Sequence, residues 1–369
     1  MEQPSRNIVV DPQTAIAPDP LPDDFDLPTR ARLAAHFSRH GLAFDPSTAI
    51  TQLSGGLANR NYSTSVDGRK VVLRRPPDGP LPPGAHDMAR EHMILSRLCR
   101  ALPFIPEGLH LCEDTSVLGV PFQLIEFRHG AGIEGEDLSP LQGQADVPSR
   151  LCEMLVTTLA QLHAVDPAAV ALGQIGRPEG FVARAIAGWA KRGAQIAAGT
   201  PGAARVEAIA EWLKRYPFRE RPATLLHCDF KLNNILLDPV ALKPVALIDW
   251  DMGTRGDPLF DLATLLSYWA EPTDPDVLKT LGQMPSTLPG FWGRREVAER
   301  YAALTSRPID DLDGMYVLAL LKLGVVFLQL HAQWLNGAVQ DPHYETFGPR
   351  GQAMLEFAQS QTTRQRQTR

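Results

Sequence analysis

The sequence predicts an α+β chain in two lobes, a small antiparallel-sheet lobe followed by a larger, mainly helical one. Three observations predict it. At 369 residues the chain is longer than one hydrophobic core usually organises, which favours two to three folding units or one large bilobal body. Short alternating runs rich in β-branched and aromatic residues are confined to roughly the first 125 residues. Beyond Gly130 the apolar repeat changes from two residues to about 3.6, over several long segments.

Residues 1–28 carry prolines and acids without periodicity and read as a poorly ordered lead-in. Residues 29–127 form the expected small lobe. A helix from about Thr29 presents Leu33, Phe37 and Leu42 on one face. Strands follow at Asn61–Val66, Lys70–Arg75 and Val120–Phe127, with a helix, Ala85–Leu98, between the second and third. Residues 128–355 form the helical lobe, with periodic segments at Arg150–Val165 and Gly180–Ile196. A hairpin-like pair, Ile235–Asp238 and Val245–Trp250, precedes further helices. The apolar stretch Val317–Leu330 is interrupted by Lys322 and falls short of the roughly 20 residues that span a bilayer, so it reads as a buried helix. Residues 356–369 look like a polar, frayed tail.

Composition excludes several function classes. With 42 acidic against 36 basic side chains the net charge is −6, which offers no general attraction to nucleic acid or anionic lipid. Four cysteines, Cys99, Cys112, Cys152 and Cys228, make neither a disulfide framework nor paired zinc-ligand spacing, so reduced thiols and no transition metal are expected. The start, MEQPSRNIVVDPQ, lacks a basic-then-apolar export segment. A cytoplasmic protein with no membrane partner is the expectation.

One string carries chemistry: His227-Cys228-Asp229-Phe230-Lys231-Leu232-Asn233-Asn234, an HxDxxxxN pattern, with Asp249 closing an apolar strand fifteen residues after Asn234. Phosphoryl transfer needs a carboxylate to receive or orient the acceptor hydroxyl, and oxygen ligands to hold magnesium against nucleotide phosphates. Asp229, Asn234 and Asp249 supply those groups. The alternative is a capped turn whose acids only bond backbone amides.

The string HCDFKLNNILLD with LIDWDMGTRGDPLFDLATLL resembles the aminoglycoside phosphotransferase and choline kinase superfamily, whose fold is protein-kinase-like. Upstream, ITQLSGGLANRNYST, VVLRRPP, REHMILSRL, VPFQLIEF and LAQLHAVDP are similar, in the same order, to the branch associated with acyl-CoA dehydrogenases. The likeness covers roughly residues 45–345. It implies ATP and Mg2+ as cofactors and a functional link to an acyl-CoA dehydrogenase. It further implies Asp229 as catalytic base, Asn234 and Asp249 as magnesium ligands, His227 bracing the catalytic loop, and Lys231 near the transferring phosphate. Cys228 stands where many members have glycine and is expected to be structural. Asp251 either assists the metal or caps the next turn.

In the small lobe, Met88, Glu91, Leu95 and Leu98 recur at helical spacing, placing a carboxylate inside an apolar stripe. A buried acid needs a partner, and Arg74, on the same strand face as Val72, can supply the cation while contacting nucleotide phosphates. Arginine stands where kinases use lysine, and a shift of one residue would substitute Arg75. Ser54, Gly55 and Gly56 read as the turn covering the nucleotide. Gln123–Phe127 fits the hinge, where main-chain groups of Glu126 and Phe127 would bond adenine.

In GDPLFDL, Asp257 reads as a helix N-cap and Asp261 as a brace for the catalytic loop, while His163 reads as a hydrogen-bonded core histidine. The acceptor pocket is expected from Tyr268, Trp269, Tyr316, Lys322, Gln329 and Trp334. Aromatics with a lysine suit a hydroxyacyl-CoA or hydroxy acid better than a polycation. The expectation is thus a kinase acting on a small-molecule hydroxyl acceptor. Two rivals stand: an aminoglycoside phosphotransferase, and a non-catalytic nucleotide-binding partner of an acyl-CoA dehydrogenase, prompted by arginine at position 74.

Overall fold

The computed structural model describes residues 25–53, 59–77, 86–337, 339 and 341–367. The chain divides into two compact units. The first runs to Ala131 and also takes Leu236–Pro239 and Pro244–Gly253; the second holds Gly132–Ile235, Val240–Lys243 and the chain from Thr254 onward. The hairpin expected in the helical lobe therefore falls largely with the sheet, and hydrogen bonding is the reason. Ala131 and Leu237 exchange main-chain bonds of 2.7 and 2.8 Å, and Leu247 N–H donates to Phe104 O at 2.8 Å.

In the first unit, α1 (Leu27–Arg39) opens two residues before the expected position because Asp26 accepts the Thr29 N–H at 2.9 Å and Pro28 pre-forms the first turn. Then come β1 (Thr51–Gln52), β2 (Arg60–Val66), β3 (Arg69–Arg75), α2 (Met88–Leu98), β4 (Gly108–Cys112), α3 (Thr115–Leu118) and β5 (Phe122–Glu126). The five strands form one antiparallel sheet in the order β1-β2-β3-β5-β4. Asp67 and Gly68 both take positive φ, 52° and 69°, as the tight turn joining β2 to β3 demands. Leu33 and Phe37 of α1 share one buried cluster with Tyr62, Val71, Leu73, Phe122 and Leu124 of the sheet. Strand β4 was not expected; its register shifts between Gly108 and His110, which breaks the alternation that marks a strand.

The second unit is built on helices α4 (Val147–Ala164), α5 (Phe181–Ile196) and α6 (Pro201–Arg215). The strands β6 (Thr224–Leu226), β7 (Ile235–Leu237), β8 (Pro244–Leu247) and β9 (Thr254–Gly256) follow in the chain. They pair as β6 with β9 and β7 with β8. Helices α7 (Leu259–Tyr268), α8 (Asp276–Lys279), α9 (Arg294–Thr305), α10 (Leu312–Leu335) and α11 (Phe347–Gln367) complete the chain.

The buried helix expected around Lys322 is present but longer than its uninterrupted apolar run, and the expected frayed tail is corrected. Helix α10 extends over 24 residues and is long and apolar enough to cross a membrane by length and composition, yet 67% of its most apolar stretch is buried within the chain. The expected frayed tail is helical through Gln367, with Phe357, Ala358 and Thr362 buried. Glycines make this packing close: a Cβ on Gly351 would meet the Gly324 carbonyl at 3.0 Å. Composition misleads at the tail because the outward face of a helix dominates its polar count.

Candidate active site

Strand β6 delivers the chain into a loop held by one buried carboxylate. Asp261, in the first turn of α7, accepts the His227 N–H at 2.7 Å and the Cys228 N–H at 2.8 Å. His163 Nε2 donates to the same carboxylate at 3.4 Å, while Tyr301 OH meets His163 Nδ1 at 2.7 Å. Burial pushes the His163 imidazole down, against the pull of Asp261, and keeps it neutral. Asp257 accepts the Leu259 N–H at 2.9 Å, capping α7, and pairs with Arg221 at 3.1 Å. With these anchors Cys228 adopts φ 65°, a left-handed conformation that a side chain disfavours by roughly 1 kcal/mol.

Asp229 sits at the tip of that loop, where four side chains converge on it. Tyr268 OH donates to Oδ1 at 2.9 Å, Lys231 Nζ reaches Oδ2 at 3.0 Å, and Asn234 Nδ2 lies 2.8 Å from the Asp229 carbonyl and 3.2 Å from Oδ2. Lys322 Nζ stands 3.9 Å from Oδ1 and bonds the Cys228 carbonyl. His227 Nδ1 accepts the Asp229 N–H at 3.3 Å. Burial alone would push this carboxyl up, but the Lys231 and Lys322 ammoniums overrule it and hold it down at about 2. Burial and the Asp229 charge together push the Tyr268 phenol up, so it remains a donor.

In the first unit, Arg74 is the hub of a second cluster. Its Nε donates to Glu91 Oε2 at 2.8 Å, one terminal nitrogen to Asn61 Oδ1 at 3.1 Å, and the other to Asp249 Oδ1. Glu91 also accepts Gln123 Nε2 at 2.7 Å and the Trp250 N–H at 3.0 Å. Burial works against the Arg74 charge, yet Glu91, Asp249 and Asp251 hold its ionisation up. Arg74, and not Arg75, thus meets the helix carboxylate. Asp249 has φ 69°, in the left-handed region that a side chain disfavours. Asp251 faces Asn59 at 3.5 Å and His86 at 3.8 Å.

Other expected residues are placed differently. Ser54, Gly55 and Gly56 lie outside the described residues. Glu126 cannot offer its N–H to adenine without breaking the sheet, because that group donates to Glu107 O at 2.8 Å; its side chain binds Arg128 at 2.7 Å. Phe127 packs under Lys70 Nζ, 4.1 Å from the ring centre. Of the six expected acceptor residues, only Tyr268 and Lys322 reach Asp229. Trp269 is core, donating to Trp292 O at 2.9 Å. Tyr316 lies under Arg294 at 5.5 Å, Trp334 stacks on His331 at 5.8 Å, and Gln329 is half-buried on α10. The roles of Tyr268 and Lys322 had legible signals. Tyr268 follows Asp261 by two helical turns, on one face, and a lone cation in an apolar helix requires a partner.

A small antiparallel sheet, a predominantly helical second unit and an HxDxxxxN loop define a protein-kinase-like phosphotransferase fold. Residues 49–300 match the phosphotransferase enzyme family, APH, and the chain belongs to that family. It is 34% identical over 294 residues to acyl-CoA dehydrogenase family member 11 of Gallus gallus, covering 78% of this chain and 37% of that one. It is 28% identical over 314 residues to acyl-CoA dehydrogenase family member 10 of Mus musculus, covering 84% and 29%. The chain thus spans about a third of the length of these curated relatives. Among solved structures, a chain from Ralstonia eutropha JMP134 assigned to the aminoglycoside phosphotransferases matches with TM-score 0.74 and 21% identity, over 90% of this chain and 98% of that one. A thermostable mutant of aminoglycoside phosphotransferase APH(4)-Ia, in ternary complex with AMP-PNP and hygromycin B, matches with TM-score 0.56 and 18% identity, over 90% and 98%. At such identities the likeness establishes the fold.

Proposed function

We propose that the chain is a small-molecule kinase that moves the γ-phosphoryl group of ATP, with Mg2+, onto the hydroxyl of a hydroxyacyl-CoA or hydroxy acid. The observation that carries this reading is the ionised Asp229, fixed by Tyr268, Lys231 and Lys322. The acceptor oxygen bonds to phosphorus, the bond from phosphorus to the ADP oxygen breaks, and the hydroxyl proton passes to Asp229. A carboxylate held near 2 is a weak base, so its work is to orient the hydroxyl and take the proton late, as a loose phosphoryl transition state permits. Lys231 neutralises charge on the transferring group.

The metal ligands in this reading are Asn234 and Asp249. They fit magnesium: both offer hard oxygens, and Asn234 commits its Nδ2 to Asp229, which leaves Oδ1 as its donor. Held by these oxygens, a magnesium ion would supply charge neutralisation to the nucleotide phosphates. Arg74, braced by Glu91, is assigned in this reading to the nucleotide phosphates.

Two ammoniums beside Asp229 favour an anionic or neutral acceptor over a polycationic aminoglycoside, whose own ammoniums would meet like charge. The relatives named as acyl-CoA dehydrogenase family members support an acyl acceptor and action alongside such a dehydrogenase. The test is magnesium-dependent ATP consumption with mass spectrometry of hydroxyacyl-CoAs, hydroxy acids, choline and aminoglycosides. The expected result is one acyl acceptor gaining a phosphate, with Asp229→Asn at least about 10²-fold slower and nucleotide affinity nearly unchanged. Wild-type turnover in Asp229→Asn would remove it as the acceptor-activating group, and phosphorylation of aminoglycosides alone would replace the acyl reading.

A further inference from the structure

A second cluster of reactive side chains lies in the first unit, apart from the residues assigned to phosphoryl transfer. His36 and His40 stand one turn apart on the C-terminal end of α1, and His110 projects from β4. Their ring centres lie 4.4, 5.1 and 5.0 Å from one another, and their ligand nitrogens all fall within 4.8 Å. The sequence contains the i, i+4 pair His36 and His40, but only strand β4 brings His110 to it.

The hydrogen bonds fix where the lone pairs point. His40 Nδ1 lies 2.9 Å from the His36 carbonyl, which can only accept, so the proton is on Nδ1 and Nε2 is unprotonated. His36 Nδ1 faces Cys112 Sγ at 3.8 Å, and that thiol reaches the Asp114 carbonyl at 3.6 Å. The thiol donates to the carbonyl and its sulfur accepts from His36 Nδ1–H, which again leaves Nε2 as a lone pair. His36 Nε2 and His110 Nε2 are 2.8 Å apart, so the proton they share belongs to His110. Moving it to His110 Nδ1 leaves a lone pair on Nε2 of each ring, in a group whose ligand atoms lie within 4.8 Å of one another.

We propose that His36, His40 and His110 form a zinc site, with three imidazole nitrogens as ligands, Cys112 orienting His36 from behind, and the remaining position open to solvent beside the exposed His40. Tetrahedral zinc at about 2.0–2.1 Å places its ligand atoms about 3.3 Å apart. The 2.8 Å pair must open slightly and the third ring swing in, which side-chain rotation supplies. A backbone carbonyl on the non-ligating nitrogen, as His40 has in the His36 carbonyl, is a usual support of a metal-bound histidine. The ion would tie the end of α1 to the edge strand of the sheet.

The test uses the full chain, stripped with chelator and dialysed against Zn2+ in excess Mg2+. Bound zinc is measured by elemental analysis, thermal unfolding with and without zinc is recorded, and Co2+ replaces zinc for its visible spectrum. A single zinc per chain, a higher melting temperature with zinc, and tetrahedral cobalt bands are expected. His40→Gln and His110→Gln should each weaken binding at least about tenfold, and the pair together should abolish it, while Asp249→Asn leaves it intact. If His110→Gln proves unstable without metal, His40→Gln at the exposed helix end still decides. Absence of bound zinc, binding indifferent to both histidine changes, or binding lost in Asp249→Asn would overturn the site.

Discussion

Asp229 is pulled in opposite directions by burial and by two ammoniums, and the ammoniums win, setting the carboxyl at about 2 against an ordinary 3.8. A depressed carboxyl contributes stability that is present above the unfolded value and lost as pH falls through the folded one, here between about 4 and 2, amounting to about 2 kcal/mol. Carbon-13 NMR of the Asp229 carboxyl should accordingly show no titration down to about pH 3. A midpoint above pH 4 would mean that Lys231 and Lys322 do not hold it. Sequence made Asp229, Asn234 and Asp249 legible because one short pattern contains them. Tyr268 and Lys322 carried signals of their own, but not the identity of their partners, since they lie 39 and 94 residues away from the loop groups they bond. The third member of the histidine cluster was hidden for the same reason: His36 and His110 are 74 residues apart.

Among elements, α2 and β3 were legible in phase, since a carboxylate in an apolar helical stripe and an alternating strand each specify a face. Their meeting makes a sharper claim possible. Arg74 uses three separate nitrogens for Glu91, Asn61 and Asp249, and an ammonium cannot reproduce that fork. Arg74→Lys should therefore lose about 1–3 kcal/mol of stability and Arg74→Ala about 3–5, the latter stranding Glu91 in the interior. Urea unfolding measures both; equal stability of Arg74→Lys and wild type would contradict the fork. Strands β6 and β9 were missed because three residues are too few to display alternation. At Glu126 the sequence could not show that the main-chain N–H is already engaged, because side-chain types do not reveal which main-chain groups a sheet has used.

At the scale of the whole molecule, the boundary expected near residue 128 is more intricate in space than in sequence, because the first unit reclaims Leu236–Pro239 and Pro244–Gly253. Its sheet and α2 depend on that return: Trp250 is buried and its N–H satisfies Glu91. A fragment ending at Ala131 should lack a cooperative thermal transition, whereas the same fragment joined through a short linker to residues 236–253 should regain one, read by circular dichroism. Cooperative melting of the shorter piece would show the returning segment to be dispensable. The interleaving also bears on how such chains can be reshuffled between genes. A crossover near residue 131 would hand a new sheet to an old hairpin and part Glu91 from the tryptophan amide it was matched to, so recombination preserves that match only when the segment through Gly253 travels with the sheet.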